Sequence, residues 1–494
     1  MCGFIGILMP EGLEVAPELA TGLLAIQHRG QDAAGALTYD GRFHMHKAKG
    51  LVRDVFTPNA LKTLRGSMGI AHVRYPTVGL GGAEDAQPFM ISYPFGVGMV
   101  HNGNVTNFDE IRGEMSRESH WHVNSSCDLE GILKVFGDEL AQQQIGDLEP
   151  KHVFQAVDGV YKRVKGAYSV VGMIADEGLY AFRDPYGIKP IIVGSRTDSE
   201  GRTSWCVASE SVLMDVLDFH QTFDLGAGEA IFIDRSGTLH RKQLTEKPHS
   251  PCLFEWVYFA RPDSFLDRVS VYKTRLRLGE LMAPIWEAAG WDVDVVIPVP
   301  ESAVTSAMAM ARALKLKYRE GLVKNRYVGR TFIMASNKLR QQSIRQKLNP
   351  IQLEFSGKNV LLVDDSIVRG NTSRQIVDLA RKAGAKKVYF ASVSPPLRYP
   401  CIYGIDMSTK NEFVARDRTT EEIAESIGAD GVVYQTLENL ERAVLEGNDE
   451  IKQTCNACFS GTYPTGDVDE SRLARIESER LVATVPRAGP ETTS

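Results

Sequence analysis

Short apolar runs separated by glycine-rich turns dominate the chain from Met1 to about Arg235. Strand-like patterns are clear in the segments GSMGIAHVRYP, FGVGMVHNGNV, GAYSVVGMIADEGLYAFRD and GEAIFIDRSG. Helical periodicity is sparse there and is clearest from Cys127 to Leu140. Many strands with few helices between them predict an α+β domain built mainly on sheets.

A second pattern begins at about Asp292, where buried-type strands alternate with helical segments. DVDVVIPVPE predicts a strand followed by a helix from Val304 to Leu314, and KNVLLVDDSIVRGNTS predicts a strand, a loop and the start of another helix. KKVYFASV supplies the next strand. This alternation predicts an α/β domain with a doubly wound parallel sheet.

Shifts in composition divide the chain into two domains and a linker. We place the first domain at residues 2–235, a linker containing the polar stretch LTEKPHSP at 236–256, and the second domain at 257–467. Residues 468–494 are charged, end in PRAGPETTS and are predicted to form a flexible tail.

Composition narrows the class of protein. The 494 residues are 43% hydrophobic and 24% charged, which is typical of a globular chain with room for two or three domains. We find no signal-peptide pattern and no apolar run long enough to cross a bilayer, so no membrane partner is expected. The formal net charge of −6 disfavours general nucleic-acid binding. Seven cysteines in so long a chain favour a cytoplasmic protein with reduced thiols.

Two adjacent acids, Asp364 and Asp365, stand where the buried strand Val360 to Val363 ends. Ligands of open α/β sheets bind outside the carboxyl ends of strands, and amides at a helix start bind phosphate. Paired carboxylates can hold ribose hydroxyls or a hydrated Mg²⁺ ion. A pair of solvated aspartates is the alternative interpretation, and the P-loop pattern is absent.

The stretch VLLVDDSIVRGNTS resembles the phosphoribosyl pyrophosphate (PRPP) signature of type I phosphoribosyltransferases. The resemblance implies that Asp364 and Asp365 hold the ribose and Mg²⁺, while the loop after them cradles the 5′-phosphate. It also implies that Ser302, in the turn VIPVPES, faces the pyrophosphate and offers an oxygen ligand to the metal. The loop residues implied in PRPP binding are Ser366, Ile367, Val368, Arg369, Gly370, Asn371 and Thr372.

The segment from Lys324 to Lys347 carries seven Lys or Arg residues and no Asp or Glu. A charge run is usually a solvated surface, but beside a phosphate site it predicts an electropositive flap over the pyrophosphate. The segment has too few aromatic residues for a nucleic-acid stacking platform. By the resemblance, Lys324, Tyr327 and Arg330 contact PRPP.

The chain opens with MCGFIGI, a cysteine followed at once by a strand-like run. Cys2 is either an idle residue after the initiator or, once Met1 is removed, a nucleophile whose own α-amino group serves as the base. An unperturbed α-amino group titrates at about 7.7–8.0, which suits proton transfer from a thiol near neutral pH.

Three polar clusters, HVRYPT, HNGN and SSCDLE, interrupt the apolar first half. Arg74 offers a bidentate clamp for a carboxylate. The Asn102 side chain and the Gly103 N–H could form an oxyanion hole, and Asp128 could bind an α-ammonium group. Each cluster alone is a weak signal, since HNGN by itself is typical of a turn.

Taken together, MCG, QHRGQDAAG, HVRYPT, HNGN and the downstream Asp resemble the class II glutamine amidotransferases, which have the N-terminal-nucleophile hydrolase fold of αββα layers. The resemblance implies that Cys2 is the glutaminase nucleophile, and that Arg74, Thr77 and Asp128 bind glutamine. The fusion of both halves, over roughly residues 2–467, resembles the amidophosphoribosyltransferase family, including its FARPDS and KNRYVGRTFI stretches.

That family resemblance carries further expectations. The family converts PRPP, glutamine and water to 5-phosphoribosylamine, glutamate and pyrophosphate, which opens purine (IMP) synthesis. It implies feedback inhibition by purine nucleotides such as AMP and GMP, and a homotetramer. An apolar passage is implied to carry ammonia between the domains.

Three other functions could use one of these two halves. An asparagine synthetase would need an S-G-G-x-D-S loop, which the sequence lacks, and a glucosamine-phosphate synthase would have sugar isomerase domains in place of VDDSIVRG. A nucleotide-sensing regulator built on a phosphoribosyltransferase would leave Cys2, Arg74 and HNGN without a role. Pyrophosphate release that requires both glutamine and PRPP would separate these functions.

Four cysteines lie in positions that suggest a metal site. Cys455 and Cys458 form a CxxC pair, Cys401 follows a predicted strand, and Cys252 lies in the linker. Four thiolates suit Zn²⁺ or a 4Fe-4S cluster, and buried thiols with a chance CxxC would hold nothing. SPPLRYPC and CNACFSGTYP resemble the iron–sulfur subgroup of the family, which implies a structural 4Fe-4S cluster on these four residues.

Overall fold

The first half of the chain forms two antiparallel sheets. A computed structural model describes residues 2–75, 84–143, 145–325, 347–405 and 410–474. The first sheet has, in spatial order, the strands His220–Asp224, Ile192–Thr197, Thr203–Ala208, Gly3–Leu8, Met68–Arg74, Ala33–Tyr39 and Phe43–Lys49. The second has Leu239–Gln243, Glu229–Asp234, Gly178–Arg183, Gly166–Ile174, Val97–Val105 and Phe89–Ile91.

The two sheets pack face to face between layers of helices. Phe4 and Ile70 of the first sheet share a core with Val171 and Ile231 of the second. On the outer faces, helix Ala16–Ala25 covers the first sheet, and three helices cover the second. Those three are Phe108–Glu118, Leu129–Ala141 and Pro150–Arg163, and the shorter helices of this half are Val52–Val55, Pro58–Leu61 and Val212–Val216. The layers are therefore αββα, which confirms the predicted fold of the first half.

The second half is built on a parallel sheet of five strands. Their spatial order is Lys317–Tyr318, Val295–Pro298, Asn359–Asp364, Lys387–Ser392 and Gly431–Tyr434. All four pairings are parallel, which confirms the predicted α/β domain. Its helices are Val271–Ala289, Val304–Ala313, Gln352–Phe355, Asn371–Lys382, Thr420–Ile427, Leu437–Leu445 and Ala457–Ser460. Two small hairpins pair Phe265–Leu266 with Val269–Ser270 and Leu322–Lys324 with Leu348–Pro350.

The predicted elements of the second half are close to those observed. The helix expected from Val304 to Leu314 spans Val304–Ala313, and the strand expected from Val360 to Val363 spans Asn359–Asp364. The next helix ends at Lys382, and Gly384 follows it with φ of 95°. Glycine adopts this left-handed conformation without a Cβ clash, so Gly384 is suited to the end of this helix.

Two expectations for the first half are corrected. Its helices are not sparse, because Ala16–Ala25, Phe108–Glu118 and Pro150–Arg163 join the predicted helix, which spans Leu129–Ala141. The strand Leu239–Gln243 lies inside the range expected to be a linker, since it pairs with the neighbouring strand through Glu229↔Gln243. A hairpin therefore continues the second sheet beyond Arg235.

Two further expectations concern the C-terminal tail and a membrane span. Most of the predicted tail, residues 475–494, lies outside the described residues. Residues 468–474 of the tail are described. Arg472 there forms ion pairs with Asp467 and with Glu110 of the first half. Among the helices of the described ranges, none combines the length and apolar character that a membrane span requires.

Candidate active sites

The first site lies around the start of the N-terminal strand, in the middle of the first sheet. Gly3 pairs with Val73, which brings Cys2 beside the end of the strand that carries Arg74. The backbone nitrogen of Cys2 lies 3.2 Å from Asn102 Oδ1 of the second sheet. The Cys2 thiol lies 3.7 Å from the carbonyl oxygen of Tyr75. The structure thus brings together the separate sequence clusters MCG, HVRYPT and HNGN.

Asn102 lies next to Cys2 and has a side-chain N–H donor, Nδ2, that is available to a ligand. Its side chain is fully buried, and its Oδ1 faces the backbone nitrogen of Cys2. Its Nδ2 has no hydrogen-bond partner in the part of the chain that the structure describes. An orphaned buried donor costs free energy unless a ligand satisfies it. This geometry suits a group that stabilises negative charge developing on a substrate oxygen.

Gly103, the next residue, is confined by the adjacent strand and by the second half. Its φ is 151°, and a Cβ built there would lie 1.9 Å from the carbonyl oxygen of Ala167. From the other half, Gly404 approaches so closely that a Cβ on it would lie 2.6 Å from Gly103 O. Asn104 Nδ2 also donates to the carbonyl of Ile402, at 2.8 Å. The strand Val97–Val105 therefore touches the second half through the backbone of Gly103 and the side chain of Asn104.

Arg74 and Asp128 flank this centre. Arg74 is 5% exposed, and its Nη2 lies 3.6 Å from Asp85 Oδ2. Asp85 also accepts hydrogen bonds from Ser126 N and Oγ, which holds the SSCDLE loop against the arginine. Thr77 lies outside the described residues, so its expected contact with glutamine stays a prediction.

The carboxylate of Asp128 is held in the ionised form. Burial alone would raise its pKa, but His101 and the N–H of Val105 together lower it below the usual value. The Val105 N–H donates to Oδ2 at 2.8 Å, and His101 Nε2 lies 3.4 Å from the same oxygen. A buried anion of this kind can pair with an ammonium group.

The second site lies at the carboxyl end of the strand Asn359–Asp364, as expected. Ser302 Oγ donates to Asp365 Oδ2, and Ser366 Oγ donates to Asp365 Oδ1 at 2.6 Å. The Asp365 N–H donates to Asp364 Oδ1 at 2.9 Å. Burial and the neighbouring Asp365 carboxylate raise the pKa of Asp364 well above its usual value. Two buried acids this close are a donor set that a divalent cation would stabilise.

The loop after these acids leads into the N-terminus of helix Asn371–Lys382 through Gly370, whose φ is 77°. A helix N-terminus with free loop amides is a suitable phosphate cradle. One large cavity, about 1110 Å³, is bordered by this loop. The predicted residues that line it are Ser302, Lys324, Asp364, Asp365, Ser366, Val368, Arg369, Gly370, Asn371 and Thr372.

Of the residues expected to bind PRPP, Ile367 does not line the cavity, and two others lie outside the described residues. The side chain of Ile367 is 1% exposed and packs in the hydrophobic core, so only its backbone could face a ligand. Tyr327 and Arg330 lie outside the described residues, as does most of the predicted basic flap. Lys324, at its start, forms an ion pair with Glu301 at 3.2 Å.

The same cavity is also bordered by the first half of the chain. Leu24, His28 and Tyr75 line it together with Asp364 and Asp365. Tyr75 is the residue whose carbonyl oxygen lies near the Cys2 thiol. The two candidate sites are therefore adjacent to one shared cavity.

The four cysteines expected to bind a metal converge from three segments. Cys252, Cys401, Cys455 and Cys458 are each 5–6% exposed, and none forms a disulfide. Cys252 and Cys455 form a parallel β-bridge, and Leu253 N–H donates to Cys455 O at 3.1 Å. Burial and the other three thiols raise the pKa of Cys458 well above its usual value. Within the described ranges, no three His, Cys, Asp or Glu side chains are arranged to hold a single metal ion.

Sequence reasoning missed several residues at these sites. Tyr75 belongs to the quoted HVRYPT motif but was given no role. Arg275 lines the cavity from the buried face of a helix, and its guanidinium donates to the carbonyls of Trp256 and Ala260. Nothing in the local pattern distinguishes it from the more exposed Arg277 two residues later.

Comparison with known proteins matches both halves. A family model for a glutamine amidotransferase domain matches residues 72–215, and one for a phosphoribosyl transferase domain matches residues 271–396. The amidophosphoribosyltransferase of Escherichia coli (strain K12) is 48% identical over 489 residues, which cover 97% of this chain and 96% of that protein.

Two solved structures align over nearly the whole chain. One is a glutamine phosphoribosylpyrophosphate (PRPP) amidotransferase from B. subtilis in complex with ADP and GMP. It aligns with a TM-score of 0.83 at 34% identity and covers 95% of this chain and 98% of that chain. The other is described as the allosteric regulatory enzyme of purine biosynthesis. It aligns with a TM-score of 0.84 at 33% identity, with coverages of 96% and 99%.

Proposed function

The chain belongs to the amidophosphoribosyltransferase family, and from that premise we propose how its own residues carry out the reaction. The chain is a glutamine-dependent pentosyltransferase of purine biosynthesis. The reaction converts PRPP, glutamine and water to 5-phosphoribosylamine, glutamate and pyrophosphate. Two half-reactions are needed, and each corresponds to one of the two sites.

In the first half-reaction, Cys2 attacks the side-chain amide of glutamine. Once Met1 is removed, the α-amino group of Cys2 takes the thiol proton, and the thiolate adds to the amide carbon. The Asn102 Nδ2 and the Gly103 N–H stabilise the resulting oxyanion. The C–N bond then breaks with protonation of the leaving nitrogen, and water hydrolyses the thioester to glutamate. The buried, partnerless Nδ2 of Asn102 beside Cys2 is the observation that carries this assignment.

The substrate is held by two charges of opposite sign. Arg74 binds the α-carboxylate of glutamine, and Asp128 binds its α-ammonium group. Thr77 is assigned to the same subsite by family resemblance.

In the second half-reaction, ammonia displaces pyrophosphate from C1 of PRPP. Asp364 and Asp365 bind the ribose hydroxyls, and the amides from Ser366 to Thr372 bind the 5′-phosphate. Ser302, Asp364 and Asp365 would hold Mg²⁺, which supplies positive charge to the leaving pyrophosphate. The segment from Lys324 to Lys347, with Tyr327 and Arg330, covers the pyrophosphate and excludes water. The shared cavity supports a short path for ammonia between the sites.

Pyrophosphate release is the decisive measurement. We expect purified protein with Mg²⁺ to release pyrophosphate only when PRPP and either glutamine or ammonia are both supplied. Release from PRPP alone would contradict the coupling. Binding of PRPP with no turnover under any nitrogen source would instead favour a nucleotide-sensing regulator.

For the four cysteines we propose a 4Fe-4S cluster rather than zinc. SPPLRYPC and CNACFSGTYP resemble the iron–sulfur subgroup of the family, and all four of its ligand positions are filled together here. Four buried thiols without disulfides suit such a cluster. The cluster, when bound, supplies cross-links between the linker, the second domain and the C-terminal segment. Neither half-reaction needs an electron, so its role is structural.

Regulation and assembly follow the family. We propose feedback inhibition by purine nucleotides, supported by the B. subtilis relative that was solved in complex with ADP and GMP. We also propose a cytoplasmic homotetramer, which sedimentation would report as about four times the chain mass of 54.6 kDa.

A further inference from the structure

Gln87 is a buried glutamine next to the first site that has no assigned role. It is 2% exposed and contacts His101 through both ends of its amide group. Gln87 Oε1 accepts a hydrogen bond from the His101 backbone N–H at 2.8 Å. Gln87 Nε2 lies 2.9 Å from His101 Nδ1. Two bonds from one side chain to one residue form a clamp rather than a chance contact.

The clamp determines the protonation state of His101. A backbone N–H can only donate, so the amide oxygen of Gln87 must face it, and the amide nitrogen must therefore face Nδ1. That nitrogen can only donate, so Nδ1 must accept and carries no proton. A neutral imidazole with a bare Nδ1 has its proton on Nε2. The orientation of the amide thus follows from the backbone donor and needs no assumption about tautomers.

The Nε2 proton points at the glutamine subsite. His101 Nε2 lies 3.4 Å from Asp128 Oδ2, which also accepts the Val105 N–H at 2.8 Å. Two donors on Oδ2 keep the carboxylate ionised and fix its rotation. The proposed pairing of Asp128 with the substrate ammonium group would then use the other oxygen, Oδ1.

The backbone around Gln87 is held by Lys47. Its Nζ donates to the carbonyl oxygens of Ala86 and Pro88, at 2.5 and 3.2 Å, on either side of Gln87. The same ammonium group lies 4.4 Å from the ring centroid of Phe89. The position of the Gln87 side chain is therefore fixed by neighbouring residues of the chain and not by the substrate.

We propose that Gln87 is a positioning residue that sets the recognition of the substrate α-ammonium group, acting through the His101 tautomer on Asp128. This inference rests on the proposed role of Asp128 in binding glutamine. Gln87 touches neither the substrate nor Cys2, so its effect should appear in substrate selection and not in the chemical step.

The test compares glutamine with glutaramate, the analogue that lacks the α-amino group. Pyrophosphate release with each as nitrogen donor is measured with PRPP and Mg²⁺ present, for Gln87→Met, Gln87→Glu, Asp128→Asn and the unmodified protein. Gln87→Met removes both hydrogen bonds at similar volume. Gln87→Glu keeps the acceptor and places a second carboxylate at Nδ1, so the imidazole gains a proton there and keeps the proton on Nε2. Gln435→Met is the matched control, since Gln435 is 1% exposed and lies in the other half.

We expect Gln87→Met to lower kcat/KM for glutamine about tenfold, mainly through KM, because a charge-assisted contact loses its orientation. Gln87→Glu keeps the Nε2 proton and should lower it less than Gln87→Met. The value for glutaramate and the ammonia-dependent synthesis should change less than about twofold. Gln435→Met should leave the selectivity between the two substrates unchanged.

Equal losses for both substrates would show a merely structural role for Gln87 and overturn the inference. An unchanged selectivity in Gln87→Met, with a lowered selectivity in Asp128→Asn, would also overturn it while sparing the proposed subsite. If Asp128→Asn itself kept full selectivity, the proposed role of Asp128 would fail, and the inference with it.

Discussion

Arg29 and Glu210 form an ion pair in which both side chains are fully buried. Glu210 also accepts hydrogen bonds from His28 at 2.8 Å and from Ser264 at 2.8 Å. Arg29 reaches onward to Glu255 Oε2, at 2.7 Å. The pair therefore joins the first half to the FARPDS segment and the cysteine-bearing linker. Its arginine also packs against Gly3, where a Cβ would lie 3.1 Å from Arg29 Cβ.

Breaking this pair should strongly destabilise the fold. Arg29→Met leaves Glu210 and Glu255 buried without their partner, which costs about 3–5 kcal/mol of unfolding free energy. Urea denaturation at pH 7 measures the loss. Lys151→Met, in the exposed pair with Glu149, is the control and should cost less than about 1 kcal/mol. A loss of similar size in both variants would contradict the assignment.

The ion pair between Arg29 and Glu210 should also make the free energy of unfolding depend on pH in the acid range. Burial would raise the pKa of Glu210, but Arg29 and His28 hold it far below its usual value. A lowered folded-state pKa gives stability that is present above the unfolded pKa of about 4.5 and lost as pH falls below it. Glu210→Gln should therefore flatten the stability profile below about pH 4.5. An unchanged slope would mean that Glu210 is not ionised in the fold.

The thiol at position 2 should be needed for only one nitrogen source. Cys2→Ala is expected to abolish glutamine-dependent synthesis and leave ammonia-dependent synthesis largely intact. Asn102→Ala should lower the glutamine-dependent kcat about 10²–10³-fold, the usual cost of one oxyanion donor. Cys206→Ala, which removes another buried thiol, is the matched control for both assays. Parallel loss of both activities in folded Cys2→Ala would refute this division.

The two strand-end acids should be needed whatever the nitrogen source. Asp364→Asn or Asp365→Asn removes one charged contact worth about 1.5–3 kcal/mol, so both activities should fall at least about tenfold. The exposed Asp378, on the helix after the loop, provides Asp378→Asn as a control. Unchanged PRPP kinetics in both variants would remove these acids from the site.

The four-thiol group should contain iron. Anaerobically purified protein is expected to be brown, with iron and acid-labile sulfide in equal amounts. Cys455→Ser should lose both, whereas Cys206→Ser should keep them because Cys206 lies in a strand of the first sheet. Colourless, iron-free and fully active protein would exclude the cluster, and zinc in that sample would establish the alternative.

Purine nucleotides should inhibit synthesis, since a site for ribose 5-phosphate also fits a nucleoside monophosphate. AMP and GMP, alone and together, are expected to raise the KM for PRPP in steady-state assays. A pyrimidine monophosphate at equal concentration is the control for ionic effects. Insensitivity to both purine nucleotides would contradict the proposed regulation.

Many strands and helices could be predicted from the sequence, because secondary structure depends largely on residues that are close together in the chain. The strand before Asp364 and the helix after Gly370 follow from apolar runs and turn residues. Helix Pro150–Arg163 is not among the predicted elements, although Val153, Val157 and Val160 recur at helical spacing and are buried in the structure.

Long-range pairings could not be predicted in the same way. Arg29 and Glu255 are 226 residues apart, and the sequence around either residue does not indicate that the two form an ion pair. Residue types in HNGN suggested an oxyanion hole, but only the fold shows that Asn102 directs its oxygen to Cys2 and leaves its nitrogen unused. Partner choice among buried polar groups is a property of the packed chain and not of a motif.

The contact between Gly103 and Gly404 limits how this enzyme can be recombined. The catalytic strand of one half lies against the main chain of the other, with no room for a side chain at Gly404. A chimera that takes one half from a distant relative must therefore preserve both the glycine and the path of the chain from Cys401 to Gly404. Each half matches its own family model, but a chimera needs both halves from sequences in which this contact is preserved.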